Sequence, residues 1–187
     1  MITALDPQTA LVLIDLQKGA LSYPLLIPAS TLLGNTAKLV SAFRNANLPV
    51  VIVTIDPLGG PTHNIRRDTP LRPRSSYTPE SLELTSEIKP EANDILITKH
   101  TWSAFYETGL DEELKQRGIT GIVLAGVSTS IGVESTARAA SERGYNIAFA
   151  QDAITDVVAS AHEHSLKLIF PRIGEVGDTD AIIAALN

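Results

Sequence analysis

The chain of 187 residues contains no cysteine, one methionine and one tryptophan, and aromatic residues make up 5% of it. Without cysteine it has no disulfide bond, no thiolate nucleophile and no cysteine-ligated zinc. Its apolar runs are also short, such as residues 10–14 and 50–55, whereas a helix that spans a bilayer needs about 20 residues. The sequence therefore excludes thiol chemistry, and we expect no membrane partner.

Positive charge is scarce as well. Lys and Arg number 15 against 21 Asp and Glu, which gives a formal net charge of −6. No run of basic residues provides the electrostatic footprint of a nucleic-acid-binding protein. The first residues lack the basic region of a cleaved signal peptide, so we expect a cytoplasmic protein. The expected partner is a small molecule, and nucleic acid is not expected to bind.

The chain does contain a regular alternation of apolar and amphipathic segments. Segments rich in Val, Ile and Leu predict buried strands at residues 9–16, 49–56, 94–98, 121–127 and 145–151. Helical periodicity and terminal glycines predict helices at residues 30–45, 109–117, 131–143, 157–170 and 179–186. Such alternation favours βαβ units with right-handed crossovers. We therefore expect residues 1–187 to form a single α/β domain with a doubly wound, Rossmann-like, mostly parallel sheet and helices on both faces.

One segment interrupts this alternation. Residues 56–79 are rich in proline and carry Arg66, Arg67, Arg72 and Arg74. The segment is too long for an ordinary connection between a strand and a helix. It is either a surface loop or a cover over an active site. As a cover, it would bring the guanidinium group of an arginine to a substrate carboxylate.

Three chemically useful positions follow predicted strands. Asp15 ends the first strand, Lys99 follows the third, and Gly132 lies just beyond the fourth. In open α/β sheets, ligands bind beyond the carboxyl ends of the strands, where the strand order reverses. We therefore expect these three residues to converge on one site.

The motifs around these positions resemble the isochorismatase-like superfamily of hydrolases, which includes cysteine hydrolases. The resemblance rests on Asp15 with Gln17, on the segment from Lys99 to Leu110, and on residues 129–138 and 143–156 in the family's order. The cysteine members carry their nucleophile at the position of Gly132. True isochorismatases, which hydrolyse a vinyl ether without a covalent intermediate, also have glycine there. The resemblance therefore implies a non-covalent hydrolase that acts on isochorismate or a related enolpyruvyl compound.

The resemblance also implies roles for individual residues. Asp15, Lys99 and Gly132 match the catalytic positions, with Asp15 as general acid and base and Lys99 as its charge partner. The residues expected to bind substrate, which is expected to be a carboxylate, are Gln17, Trp102, Phe105, Ser128, Thr129 and Ile131. The Val127–Ser128 peptide bond is implied to be cis. Family members are commonly dimers or larger, so a homo-oligomer is expected, and no cofactor or metal is predicted.

Several alternatives stay open at the level of sequence. The positive charge of Lys99 would lower the pKa of Asp15, while burial would raise it. Ser128, Thr129 and Ser130 are either substrate contacts or helix N-caps, and Ser130 is a weaker candidate for a replacement nucleophile. Trp102 and Phe105 either line the site or pack in the core. The rival function is a catalytically silent protein that binds a small molecule on the same scaffold.

Overall fold

A computed structural model describes residues 1–60, 66–69 and 73–186. Its sheet has the strand order β3-β2-β1-β4-β5-β6, and every neighbouring pair is parallel. The strands are β1 (Thr9–Ile14), β2 (Val50–Ile55), β3 (Ile95–Lys99), β4 (Gly121–Val127), β5 (Asn146–Thr155) and β6 (Glu175–Gly177). The predicted α/β class and the doubly wound parallel sheet are confirmed.

Helices connect the strands. They are α1 (Lys18–Leu21), α2 (Ala29–Asn45), α3 (Pro79–Leu82), α4 (Leu110–Gln116), α5 (Glu134–Glu142), α6 (Ala159–His164), α7 (Phe170–Ile173) and α8 (Thr179–Ala184). Wider π-helical turns at Thr129–Val133 and Ser165–Ile169 lead into α5 and α7. Within the described ranges, no helix combines the length and the apolar character needed to cross a bilayer.

The core lies on both faces of the sheet. Alternate side chains of β1 point to opposite faces, so Val12 and Ile14 join one apolar cluster while Leu11 and Leu13 join the other. Helix α5 packs on the first face and α2 on the second. All six residues of β1 are buried, which explains why its sequence is a continuous apolar run.

The structure departs from the predicted elements at several points. Strand β5 continues to Thr155, beyond its predicted end at residue 151, and the short helices α1 and α3 were not predicted. The expectation that residues 94–98 form a fully buried strand is wrong, because β3 is an edge strand in which buried and exposed residues alternate, and Leu96 is 62% exposed. The short strand β6 was not predicted. The helix predicted at 157–170 begins at Ala159 and continues through a π-helical turn to Ile173.

Strand order reverses between β1 and β4, and the two strands approach closely where they end. Gly126 has a φ of +122°, and a Cβ atom there would lie 2.1 Å from the carbonyl oxygen of Ile14. Both the dihedral angle and the contact demand glycine. This close approach places the residues after β1 beside the residues after β4, at the switch point where ligands bind in such sheets.

Replacing Gly126 with alanine tests this close approach. We expect Gly126→Ala to lower the free energy of unfolding by about 3 kcal/mol or more, because the methyl group meets backbone that cannot yield. The matched control is Gly34→Ala in α2, where a Cβ atom would contact nothing within 4 Å. That variant should gain up to about 1 kcal/mol. Urea denaturation of both variants checks the prediction, and equal stabilities would contradict it.

Candidate functional site

A buried ion pair lies at the switch point. The Nζ atom of Lys99 is 2.8 Å from Oδ2 of Asp15 and donates a second hydrogen bond, of 2.7 Å, to the main-chain oxygen of Trp102. The side chain of Lys99 is wholly buried. Lys99 ends β3, two strands away from β1, and adjacent strands are about 4.8 Å apart. The length of the lysine side chain is therefore what closes the gap between the two residues.

Burial decides the protonation of Asp15. Loss of solvent raises the pKa of this carboxyl to about 6, and this effect outweighs the charge and hydrogen bond of Lys99, which lower it. Among the described residues, Oδ1 of Asp15 is buried without a hydrogen-bond partner. The carboxyl thus has one oxygen held by a cation and one unpaired oxygen, and it exchanges a proton near neutral pH. This answers the question that the sequence left open.

The backbone at Asp15 is held in an unusual conformation. Its φ is +53°, in the left-handed region that residues other than glycine rarely adopt. The main-chain N–H of Asp15 donates to Val53 in β2, and its carbonyl accepts from the N–H of Gln17. Strain of this kind persists where the surrounding structure fixes it, and it is common at functional sites.

The side-chain amide of Gln17 bonds to the backbone of two other segments, and we call this arrangement the clamp of Gln17. Its Nε2 donates to the carbonyl oxygens of Ile55 and Leu82, and its Oε1 accepts from the N–H of Ile55. The side chain is 2% exposed. The amide is thus consumed by backbone, and Gln17 ties the end of β2 to α3 instead of reaching the ion pair as a substrate ligand.

The turn after β4 completes the site. The Val127–Ser128 peptide bond is cis, as the resemblance implied. A Cβ atom at Gly132 would lie 3.1 Å from Nζ of Lys99, 3.2 Å from Oδ2 of Asp15 and 3.1 Å from a methyl group of Ile14. The glycine therefore lets the ion pair close directly against the backbone, so the space it leaves is largely filled by that pair.

A cavity of about 130 Å³ opens onto this pair, and we call it the inner cavity. Six of the residues predicted for the site line it: Asp15, Lys99, Trp102, Ser128, Ile131 and Gly132. Trp102 is 56% exposed and Ile131 40% exposed, so both present apolar surface at the mouth. The fold brings these residues together from the ends of three strands.

Two predicted substrate contacts lie elsewhere. Phe105 belongs to the core, where its ring packs 5.8 Å from that of Tyr145 and lies under the guanidinium of Arg143. Thr129 is fully buried, and its hydroxyl is 2.7 Å from Nδ1 of His162, whose pKa is lowered by burial. Neither lines the inner cavity. Phe105 and Thr129 therefore belong to the packing around the site and not to its lining.

Asp156 organises the turn after β4, and sequence reasoning gave it no role. Its Oδ2 accepts hydrogen bonds of 2.8 Å from both the N–H and the hydroxyl of Ser130, while Oδ1 accepts from the N–H groups of Val157 and Val158. The residue is 1% exposed. These bonds turn the side chain of Ser130 toward Asp156, and Ser130 does not line the inner cavity, so the structure does not place it there as a nucleophile. The available signal was that Asp156 ends a segment matching the family.

Of the four candidate arginines, the two whose side chains the structure describes do not reach the inner cavity. Arg66 and Arg67 are exposed and do not line it, while Arg72 and the side chain of Arg74 lie outside the described residues. Ser128 makes no N-cap hydrogen bond through its side chain.

In the described part of the chain, no cluster of three or more His, Asp or Glu residues is arranged to hold a metal ion. The absence of a metal and of a cofactor stays a prediction.

Comparison with known proteins points to one family. The isochorismatase domain model matches residues 9–181. An uncharacterized isochorismatase family protein of Bacillus subtilis is 38% identical over 180 residues, which are 94% of this chain and 93% of that protein. An isochorismatase family protein from Burkholderia thailandensis superposes with a TM-score of 0.93 at 37% identity, covering 100% of this chain and 99% of that one. Enterobactin synthase component B of Escherichia coli is 27% identical over 97% of this chain and 65% of its own length.

The protonation of Asp15 can be tested through stability. The folded protein binds this proton more tightly than the unfolded chain, so the contribution of Asp15 to stability falls as pH rises from about 4 to about 6. The free energy of unfolding of Asp15→Asn lacks this fall. The difference in unfolding free energy between this variant and wild type should therefore shift in favour of the variant by about 3 kcal/mol between about pH 4 and pH 7. Urea denaturation at both pH values measures the change. Asp178→Asn, at an exposed N-cap, is the control. A constant difference between Asp15→Asn and wild type would contradict the prediction.

The role of Asp156 predicts an unequal effect of two aspartate substitutions. Asp156→Ala should lower the free energy of unfolding by about 2 kcal/mol or more, because a buried carboxylate that accepts four hydrogen bonds is lost. Asp178→Ala removes one exposed cap bond to Ala181 and should cost about 1 kcal/mol. Thermal and urea unfolding compare the two variants. A smaller loss in Asp156→Ala than in Asp178→Ala would show that water replaces the carboxylate.

Proposed function

Since the chain belongs to the isochorismatase family of hydrolases, we propose that it cleaves the vinyl ether of an enolpyruvyl compound, with isochorismate as the first candidate. The products are pyruvate and the alcohol. The observation that carries this proposal is the Asp15 carboxyl, whose Oδ2 is paired with Lys99 and whose Oδ1 has no hydrogen-bond partner among the described residues, in a residue that lines the inner cavity. Such a group suits an acid that gives up a proton and takes it back.

The first step is protonation of carbon. The protonated carboxyl of Asp15 donates its proton to the terminal methylene of the ether, which becomes a methyl group and leaves an oxocarbenium ion. A pKa of about 6 keeps a useful fraction of the acid protonated near neutral pH. The carboxylate that forms is stabilised by the ammonium of Lys99 at 2.8 Å. Lys99 thus makes the departure of the proton easier without supplying a proton itself.

The second step is addition of water. Water attacks the oxocarbenium carbon and passes a proton to the Asp15 carboxylate, which restores the acid. The hemiketal then breaks its bond to the alcohol oxygen, and the proton of its hydroxyl moves to the leaving alcohol. The sum is ether plus water to alcohol plus pyruvate, with no covalent bond to the protein. Gly132 contributes backbone at this point, without a side chain that would displace the ion pair.

The residues present support this chemistry over that of a cysteine amidase. Covalent hydrolysis needs a side-chain nucleophile near its base, and the chain has no cysteine. Ser130 does not line the inner cavity, and Gly132, which matches the nucleophile position, has no side chain. Asp15 and Lys99 remain paired and buried, which suits an acid that acts on the substrate directly.

Pyruvate release tests the proposal. Purified protein is incubated with isochorismate and coupled to lactate dehydrogenase. We expect wild type to turn over and Asp15→Asn to lose about 10²-fold or more in kcat/KM. The wild-type kcat/KM should fall as pH rises through about 6. Lys99→Met should be slower, with this fall moved to higher pH, because the cation that lowers the pKa of Asp15 is gone.

Lys115→Met is the matched control, since Lys115 is an exposed lysine that also pairs with an aspartate. It should leave the rate and the pH profile unchanged. Full activity of Asp15→Asn would remove Asp15 from the mechanism. If wild type binds the ether but releases no pyruvate, the protein is instead a small-molecule binding protein on this scaffold.

A further inference from the structure

Two backbone segments enclose the ammonium group of Lys99. On one side, the main-chain oxygen of Trp102, in the segment that follows β3, accepts its hydrogen bond of 2.7 Å. On the other side lies the turn after β4, where a Cβ atom at Gly132 would be 3.1 Å from Nζ. Trp102 and Gly132 both line the inner cavity. The separation of these two segments therefore limits how far the ammonium group can move from Asp15.

A single hydroxyl group, that of Thr136 in α5, joins the two segments. It donates a hydrogen bond of 2.7 Å to the carbonyl oxygen of Gly132 and accepts one of 3.0 Å from the N–H of Ala104. A carbonyl oxygen only accepts and an N–H only donates, so the direction of both bonds is fixed. Thr136 is fully buried and does not line the inner cavity. Its hydroxyl is thus a bridge between backbone groups behind the cavity.

The bond from Ala104 sets this threonine apart from an ordinary helical one. A threonine in a helix often donates to the carbonyl four residues earlier, and Thr36 in α2 shows this arrangement. The hydroxyl of Thr136 also accepts from a segment that is remote in sequence. Residues 101–104 belong to no helix or strand. Among the described residues, only the hydrogen bonds with Lys99 and Thr136 tie them to a strand or a helix.

We propose that Thr136 is a positioning residue, which acts on the reaction through Lys99. Its hydroxyl holds the two segments together and so keeps the ammonium group against the Asp15 carboxyl. Removing the hydroxyl leaves two backbone groups without this partner. The segment that carries the Trp102 carbonyl then moves more freely, and the ion pair lengthens on average. The effect on turnover rests on the proposed ether hydrolysis, whereas the hold on the ion pair depends on no substrate.

Titration of the Asp15 carboxyl in the free protein tests this role without a substrate. Carbon-13 NMR of protein labelled at the aspartate carboxyls follows it, and the signal of Asp15 is identified by its absence from Asp15→Asn. Burial raises the pKa of this carboxyl and Lys99 lowers it, so a longer ion pair lowers it less. Thr136→Val keeps the size of the side chain and should move the titration midpoint to higher pH by about half a pH unit or more. Thr136→Ala removes the same hydroxyl and should move the midpoint in the same direction.

Two further variants separate the hydroxyl from a general loss of stability. Thr136→Ser keeps the hydroxyl and should titrate within about 0.2 pH units of wild type. Thr36→Val removes an equally buried hydroxyl from α2, which packs on the other face of the sheet, and should also leave the midpoint in place. A wild-type midpoint in both Thr136→Val and Thr136→Ala would overturn the positioning role. An equal shift in Thr36→Val or in Thr136→Ser would overturn it as well.

A double variant shows whether Thr136 acts through Lys99. Lys99→Met alone should move the midpoint of Asp15 to higher pH, because the cation is gone. Adding Thr136→Val to Lys99→Met should move it no further, since the group that Thr136 positions is already absent. Additive shifts of the two substitutions would contradict this assignment.

The pyruvate assay separates this inference from the proposed function. If wild type releases pyruvate, Thr136→Val should lower the low-pH plateau of kcat/KM by about fivefold, and Thr136→Ser should stay close to wild type. If wild type releases no pyruvate but the titrations shift as expected, the positioning role stands and ether hydrolysis fails. If pyruvate is released but Asp15 titrates in Thr136→Val as in wild type, hydrolysis stands and the positioning role fails.

Discussion

The burial of one lysine ammonium is the constraint on which the rest of the site depends. Removing such a charge from water costs several kcal/mol unless it finds close partners, and Lys99 has two, the carboxylate of Asp15 and the carbonyl of Trp102. The pair joins the edge strand β3 to the central strand β1 across β2. The pair therefore fixes the end of β3 relative to the end of β1 at the switch point.

The same burial raises the pKa of Asp15 at a cost in stability. A carboxyl whose pKa is raised to about 6 is less easily ionised in the folded protein than in the unfolded chain, so its ionisation opposes folding near neutral pH. The left-handed backbone of Asp15 adds strain. Tight packing elsewhere offsets both, and the clamp of Gln17 and the buried carboxylate of Asp156 hold the surrounding backbone. At functional sites, a shifted carboxyl pKa commonly comes with a lower free energy of unfolding.

Much of the fold was predictable because it depends on local patterns. Alternating apolar and amphipathic segments predicted five strands and the doubly wound sheet. The burial of β3 was mispredicted because an edge position is a property of the whole sheet, and β6 was missed because three residues give too short a pattern. For the site, Asp15, Lys99 and Gly132 were found from their places after strands. The contacts made by the side chains of Gln17, Thr129 and Phe105 were not predicted, because each of them packs against neighbours that are remote in sequence.

By itself the sequence determined that thiol chemistry is absent, that the fold is α/β, and that an aspartate, a lysine and a glycine follow three of its strands. These depend on residue identity and on periods of two and 3.6 residues, which are local properties of the chain. Tertiary structure alone decided that burial outweighs Lys99 in setting the pKa of Asp15, because desolvation depends on what packs around a group.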